Sequence, residues 1–312
     1  MTRSSGRPES KFLPLPQSAL PLAEGPRGYR LQRAGERGYV VISGFVQAAF
    51  VVTGEGVILV DAPPALDGKL QAAIASVTDQ PVTHFIYTHS HADHVGAVTK
   101  FPGARRIAHE EAARLLANHD DPARPLPDQV IDGPRTVLMI GGEQVQLIYP
   151  GSNHEVGNIL VHFPAQKLSV MTDVVMPGWA PYRGWGNADY PPGMLAAHDA
   201  ILATDFDTYV GGHVYRTGTR DDVQQSRDFL LDTIHTTQKA MGSISYADAA
   251  AGIEPANAWA AVTVWFDRIA GAVTTELTER WGDKIAAVDT FTPATVEALV
   301  VSLSTDAPAH LP

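Results

Sequence analysis

The stretch YTHSHADHVGA, residues 87–97, concentrates metal-binding side-chain types directly after a short apolar segment. It holds three of the chain's 12 histidines, His89, His91 and His94, with Asp93 before the last of them. In an extended segment, residues two apart point the same way, so His89 and His91 can converge on one ion. Once the chain turns into a helix, Asp93 and His94 project towards a second ion. A packed apolar core would resist this density of imidazoles.

Composition narrows the class of protein. The 312 residues are 45% hydrophobic and 18% charged, which is typical of a soluble globular enzyme. The net charge of −11 argues against a nucleic-acid or anionic-membrane partner, because phosphate binding needs clustered Lys and Arg. We expect a small-molecule substrate as the partner, and we expect a cytoplasmic protein because the N-terminal residues lack the continuous apolar run of a signal peptide. Cysteine is absent, so His, Asp and Glu must supply any metal ligands.

Three later residues stand at the ends of predicted strands, where functional loops are usually built. His154 lies in PGSNHEVGN, Asp173 in SVMTDVV and His213 in YVGGHV. The two glycines before His213 allow a close backbone approach. Each of these residues alone is more often an ordinary loop residue. Together with residues 87–97 they form an ordered set of candidate ligands.

At this point the residues carry a resemblance to a known family. THSHADH resembles the HxHxDH signature of the metallo-β-lactamase-fold superfamily, and Asp61 in VILVDAPP resembles the aspartate of its first motif. The match extends over roughly residues 38–215. It implies an α/β fold, an αββα sandwich with a dinuclear metal site between the sheets. An aspartate at position 173 is similar to the branch of glyoxalase II, lactonases and esterases, in which this carboxylate bridges two metals.

The resemblance also implies a role for each site residue. One zinc ion would be held by His89, His91 and His154, and a second by Asp93, His94 and His213. Asp173 would bridge both ions. Asp61 would accept a hydrogen bond that orients either a ligand histidine or the ligand loop. Asp93, His89 and His91 would be closest to the chemistry.

Two zinc ions per chain imply hydrolysis. Zinc lowers the pKa of bound water to about 7, and the resulting hydroxide attacks the carbonyl of an ester, lactone, amide or β-lactam. Two alternatives stay open. The same histidines can hold a single iron, as in persulfide dioxygenases of this fold, and His94 and His213 would then be free. The chain can also be a metal-stabilised binding protein without turnover.

The loop after Asp173 is rich in large apolar side chains. The candidates for contact with substrate are Met176, Trp179, Tyr182 and Trp185. Such a wall favours a hydrophobic substrate. The alternative is that these side chains only attach a long loop to the core.

The flanking segments complete the predicted organisation. Residues 1–37 are predicted to be an extended arm, 38–218 the catalytic domain and 219–312 a helical extension packed on it. The helices are expected to begin after Thr219, at Asn257 and at Thr292-Pro293. The apolar stripe of the second helix either packs on the sandwich or forms a homodimer face. Four histidines are expected to be solvated: His119, His198, His235 and His310.

Overall fold

The computed structural model describes residues 12–305, and within that range the strands form two sheets. The seven-stranded sheet has its strands in chain order: β1 (Arg30–Ala34), β2 (Gly38–Ser43), β3 (Val46–Thr53), β4 (Gly56–Val60), β5 (Val82–Ile86), β6 (Arg105–His109) and β7 (Gln129–Ile131). The five-stranded sheet contains β8 (Arg135–Ile140), β9 (Glu143–Ile148), β10 (Leu160–Phe163), β11 (Leu168–Val170) and β12 (Thr208–Val210).

Helices cover both outer faces of the sandwich. The helical segments in chain order are α1 (Lys69–Ala75), α2 (Ala92–Val95), α3 (Glu110–His119), α4 (Arg183–Asn187), α5 (Pro191–Leu202), α6 (Arg220–Ser243), α7 (Tyr246–Ala250), α8 (Ala258–Trp281) and α9 (Val288–Thr305); α2 and α4 are short turns beside the candidate ligands. Among the described residues, no helix is both long and apolar enough to cross a membrane.

The hydrophobic side chains divide the molecule into four layers. Val40, Ile58 and Ile86 of the first sheet meet Leu147 and Val161 of the second in one buried cluster. A second cluster joins the outer face of the first sheet to α1 and α3. A third joins the outer face of the second sheet to α5, α6 and α9. This layering confirms the predicted αββα sandwich with helices at its C-terminal end.

Strand directions bring the candidate ligands to one edge of the sandwich. β4 and β5 are parallel, so Asp61 and His89 follow strands that end side by side. β11 and β12 are parallel as well, which brings Asp173 close to His213. Carboxyl ends of parallel strands are where α/β proteins build ligand sites.

The structure differs from the sequence-based expectations in several places. β1 is a paired strand that begins at Arg30, within the predicted arm. The helix expected to run from the histidine cluster to Phe101 is a single turn, Ala92–Val95, which contains Asp93 and His94. α9 begins at Val288 and contains Pro293, so Thr292-Pro293 does not mark its start. Residues 1–11 of the predicted arm and His310 lie outside the described residues.

Candidate metal centre

Four of the seven predicted ligands form the first group at the sandwich edge. His91 Nδ1 lies 3.0 Å from His154 Nε2. His89 Nε2 and His154 Nε2 lie 3.4 and 3.2 Å from Asp173 Oδ2. His89, His154 and Asp173 are buried, and His91 is partly exposed towards solvent. These atoms are close enough to share one ion.

The remaining three predicted ligands form the second group, against the same carboxylate. His94 Nε2 and His213 Nε2 are 3.1 Å apart, and each is 3.6 Å from Asp93 Oδ2. Asp173 approaches this group too, with Oδ2 3.1 Å from His94 Nε2 and Oδ1 3.2 Å from His213 Nε2. Asp173 is therefore the residue that the two groups share.

The donor set fits divalent metal ions such as zinc. Two ligands about 2.1 Å from a tetrahedral zinc ion are about 3.4 Å apart, close to the separations found here. His89 Nε2 is buried without a hydrogen-bond partner and points at Asp173, which leaves a lone pair for an ion. Burial lowers the pKa of His89 to about 3, so the ring is neutral, as a metal ligand must be.

The electrostatics of the centre also favour a cation. Burial disfavours the charged form of His94, but the Asp173 carboxylate outweighs burial and raises the pKa of His94 to about 9. Burial likewise opposes charge on Asp173, yet His94 and His154 hold its pKa well below the usual range. The site therefore retains a buried carboxylate that attracts positive charge.

Backbone conformations that few residues adopt bring the ligands together. Asp173 has a φ of 66°, in the left-handed region. Gly212, directly before His213, has a φ of 81°, and a Cβ there would lie 2.8 Å from His94 Cε1. A glycine at 212 is thus required by both the turn and the close approach of His94. Such strain is often stored at functional sites.

Asp61 acts on the site through Thr88. The Thr88 amide and hydroxyl both donate to the Asp61 carboxylate, at 3.0 and 2.7 Å. The hydroxyl oxygen, 2.9 Å from His89 Nδ1, can then accept the His89 N–H. This chain of bonds leaves Nε2 of His89 as the metal-facing atom. Burial raises the pKa of Asp61 to about 7, although the two bonds from Thr88 oppose that rise.

Glu155 is a polar contact of the site that sequence reasoning missed. Its buried carboxylate accepts from the Ser90 amide at 3.1 Å and from the Ser90 hydroxyl at 2.6 Å. Its Oε1 atom lies 3.7 Å from His91 Nε2. Glu155 therefore joins the loop that carries His154 to the loop that carries His91. Its position directly after His154 was the available signal.

A left-handed turn, α4, holds His154 from the other side. Gly184, Trp185 and Gly186 have φ values of 63°, 61° and 72°. The Gly186 carbonyl lies 2.6 Å from His154 Nδ1, so Nδ1 donates to it and Nε2 faces the other ligands. The turn directs Trp185 into the core, where its side chain is buried against α5 and α9. The prediction that Trp185 lines the substrate pocket is therefore wrong.

A pocket of about 440 Å³ opens onto the ligands, within the usual size range of small-molecule sites. His91, Asp93, His154, Asp173 and His213 form its floor. Its walls are largely apolar and include three of the predicted residues, Met176, Trp179 and Tyr182. Phe45 and Phe291 also line the walls, beside Gly186 and Asn187, and neither phenylalanine was predicted, since both lie far from the motifs in sequence.

Comparisons with known proteins agree with this architecture. The sequence profile of the metallo-beta-lactamase superfamily matches residues 42–235. The alpha subunit of 2,4-dinitroanisole O-demethylase from Nocardioides sp. (strain JS1661) is 29% identical over 194 residues, 59% of this chain and 57% of that relative. A metallo-beta-lactamase type 2 from Bacillus sp. (strain 170) is 32% identical over 122 residues, 37% of this chain and 45% of that protein.

The match to these curated relatives therefore spans only about half of their length. Among solved structures, a metallo-beta-lactamase from Pontibacter korlensis superposes with a TM-score of 0.56 at 21% identity. That superposition covers 65% of this chain and 98% of the other, and it shows a shared fold. The chain belongs to the metallo-beta-lactamase superfamily, whose members are generally metal-dependent hydrolases.

Proposed function

We propose that this chain hydrolyses an uncharged, apolar ester, lactone or amide at a site that holds two zinc ions. The observation that carries the proposal is the position of Asp173. Its carboxylate lies within 3.4 Å of histidine nitrogens from both ligand groups, directly below an apolar pocket. A single ion would leave one of the two groups of facing nitrogens unsatisfied.

The candidate ligands would hold the two zinc ions in separate groups. His89, His91 and His154 would hold one ion, Asp93, His94 and His213 the other, and Asp173 would contact both. Two zinc ions would supply a water with a pKa near 7 and an electrophile for the substrate carbonyl. Asp93 lines the pocket, and its carboxylate would accept a hydrogen bond from that water and so orient it.

The pocket walls support the choice of substrate class. None of the described residues that line the pocket is Lys or Arg. A substrate carboxylate would therefore find no cationic side chain there, which makes neutral substrates the better fit than anionic β-lactams. The alternative of one iron ion gives His94 and His213 no role, although their nitrogens face each other at 3.1 Å.

A second candidate reaction is the cleavage of an aryl methyl ether by water, which releases a phenol and methanol. The observation in its favour is the 29% identity to a relative named as a 2,4-dinitroanisole O-demethylase subunit. The aromatic side chains of the pocket are compatible with such a substrate.

Activity and metal content measured on matched histidine variants test the proposal. The zinc-loaded chain is assayed against esters, lactones, thioesters, β-lactams and 2,4-dinitroanisole. His91→Ala should lose zinc and at least a hundredfold in kcat/KM, roughly the loss of a metal-held nucleophile. His119→Ala changes an exposed histidine, so this variant should keep the zinc content and the kcat/KM of the wild type. Equal hydrolysis by both variants would refute the assignment.

A further inference from the structure

Four aromatic side chains around the pocket come from three separate parts of the chain. Phe45 lies in the turn between β2 and β3, Trp179 and Tyr182 in the loop after Asp173, and Phe291 in α9. Phe45 and Trp179 pack edge to face, with ring centroids 6.0 Å apart and planes at 89°. Tyr182 and Phe291 form a second such pair, at 5.3 Å and 69°. We call these four residues the aromatic wall.

The aromatic wall leaves much apolar surface uncovered. Phe45 is 41% exposed and Tyr182 is 48% exposed, although each packs against another ring. Exposed apolar side chains that are grouped around a pocket often indicate a ligand-binding surface. The pocket floor beneath them carries the candidate metal ligands, so a ring held by the wall would sit next to the reacting bond.

The C-terminal helices fix the geometry of the wall. The segment before α9 bonds to the loop that carries Trp179: the Ala180 amide donates to the Ala286 carbonyl, and the Ala286 amide donates to the Gly178 carbonyl, both at 2.9 Å. These bonds flank Trp179 on either side. Phe291 lies in the first turn of α9, and its ring contacts Tyr182. The C-terminal part of the chain therefore supplies one wall residue and positions two others.

We propose that the aromatic wall is an aryl-binding subsite, and that Tyr182 and Phe291 select substrates with an aromatic ring over substrates with a saturated ring of the same size. Aromatic rings prefer offset or edge-to-face contacts because their faces are electron-rich and their edges electron-poor. A saturated ring fills the same volume without this complementarity. The inference rests on the proposed hydrolysis and specifies its substrate class.

The test compares two esters that differ only in the ring, benzyl acetate and cyclohexylmethyl acetate. Both release a primary alcohol, so their intrinsic reactivities are close. The wild-type chain should favour benzyl acetate by about threefold to tenfold in kcat/KM, the range expected for one or two aromatic pairs. Phe291→Leu and Tyr182→Leu should each bring the ratio close to one. Tyr182 is half exposed, so its variant should fold even if the other does not.

Phe266→Leu is the matched control. Phe266 packs among the C-terminal helices and is outside the residues that line the pocket. It should keep the wild-type ratio. An unchanged ratio in all variants, with ester hydrolysis intact, would overturn the aryl subsite and leave the proposed hydrolysis standing.

Binding of two alcohols separates the two hypotheses if neither ester is cleaved. Benzyl alcohol and cyclohexylmethanol are titrated while the fluorescence of Trp179 and the other tryptophans is followed. If the wild-type chain binds benzyl alcohol more tightly than cyclohexylmethanol and Phe291→Leu loses this preference, the aryl subsite is supported. Only the proposed hydrolysis is then contradicted, because neither ester is cleaved. Equal binding of the two alcohols would overturn the subsite.

Discussion

The Asp173 carboxylate is buried, and it touches ring nitrogens that belong to two different groups of histidines. A neutral imidazole has one donor and one acceptor nitrogen, and hydrogen bonds behind the ligands determine which is which. Thr88 binds Nδ1 of His89 and the Gly186 carbonyl binds Nδ1 of His154. At the scale of single residues, the chain therefore orients its ligands before any ion binds.

His198 gives a residue-scale prediction away from the site. It was expected to be solvated, but it is fully buried, with Nδ1 2.7 Å from the Met194 carbonyl and Nε2 3.0 Å from the Ser226 hydroxyl. Burial lowers its pKa to about 4, against about 6.5 in the unfolded chain. Between these values the unfolded state binds the extra proton, so acidification favours unfolding.

The expected result is a loss of stability that depends on His198. As the pH falls from 6.5 to 5, the free energy of unfolding of the wild type should decrease by about 2 kcal/mol more than that of His198→Gln. Denaturant unfolding of both proteins at several pH values measures the difference. A difference in free energy of unfolding that does not change with pH would contradict the buried neutral ring.

At the scale of elements, the left-handed turn α4 links the core to the metal ligands. Gly184 and Gly186 both have positive φ, but a Cβ at 184 would meet nothing within 4 Å, whereas one at 186 would lie 2.9 Å from the Asp173 carbonyl oxygen. Alanine at position 184 therefore adds backbone strain only, whereas alanine at position 186 adds the same strain and also displaces the backbone beside the ligands.

We predict different effects for the two alanine variants. Gly184→Ala should reduce the free energy of unfolding by about 1–2 kcal/mol, the cost of left-handed backbone in an ordinary residue. Gly186→Ala should add a loss of about tenfold to a hundredfold in zinc affinity, because the carbonyl that orients His154 must move. Competition with a chelator measures the affinity. Equal zinc affinity in the two variants would show that α4 does not position the ligand.

The sequence predicts the strands and the candidate ligands well, but it predicts the residues of the pocket walls poorly. Alternating and continuous apolar runs mark the strands, and polar residues at their ends mark Asp61, Asp173 and His213, because local patterns carry that information. The direction of Trp185 depends on three successive positive φ values, which local patterns do not indicate for a tryptophan. Phe291 reaches the pocket only through helix packing distant in sequence.

At the scale of the whole molecule, the C-terminal helices and the sandwich share one buried cluster. Leu160 and Tyr209 of the second sheet pack with Leu230 of α6 and Leu299 of α9. Separating these surfaces would expose apolar area on both sides, at about 25 cal/mol for each Å². The predicted division at residue 219 thus describes the chain's organisation, and we do not expect two independent folding units.

Unfolding should therefore follow a single transition. Helix content from circular dichroism and tryptophan fluorescence should give coincident denaturant curves. Three of the five tryptophans lie in α8 and two in the loop and turn near the pocket, so fluorescence reports on both regions. Denaturant curves from circular dichroism and fluorescence that do not coincide, or two separate steps in either signal, would contradict the shared core. A homodimer contact through the exposed face around Trp259 stays a prediction, and sedimentation of the purified chain would test it by measuring the mass of the particle in solution.

The metal content of the purified chain is the most direct test of the central claim, that one carboxylate joins two groups of ligands around two ions. Elemental analysis after zinc loading and removal of free metal should find about two zinc ions per chain. Asp173→Ala should bind fewer than wild type. A hydrolytically active wild-type chain with a single metal ion, or with one iron in place of zinc, would contradict the account.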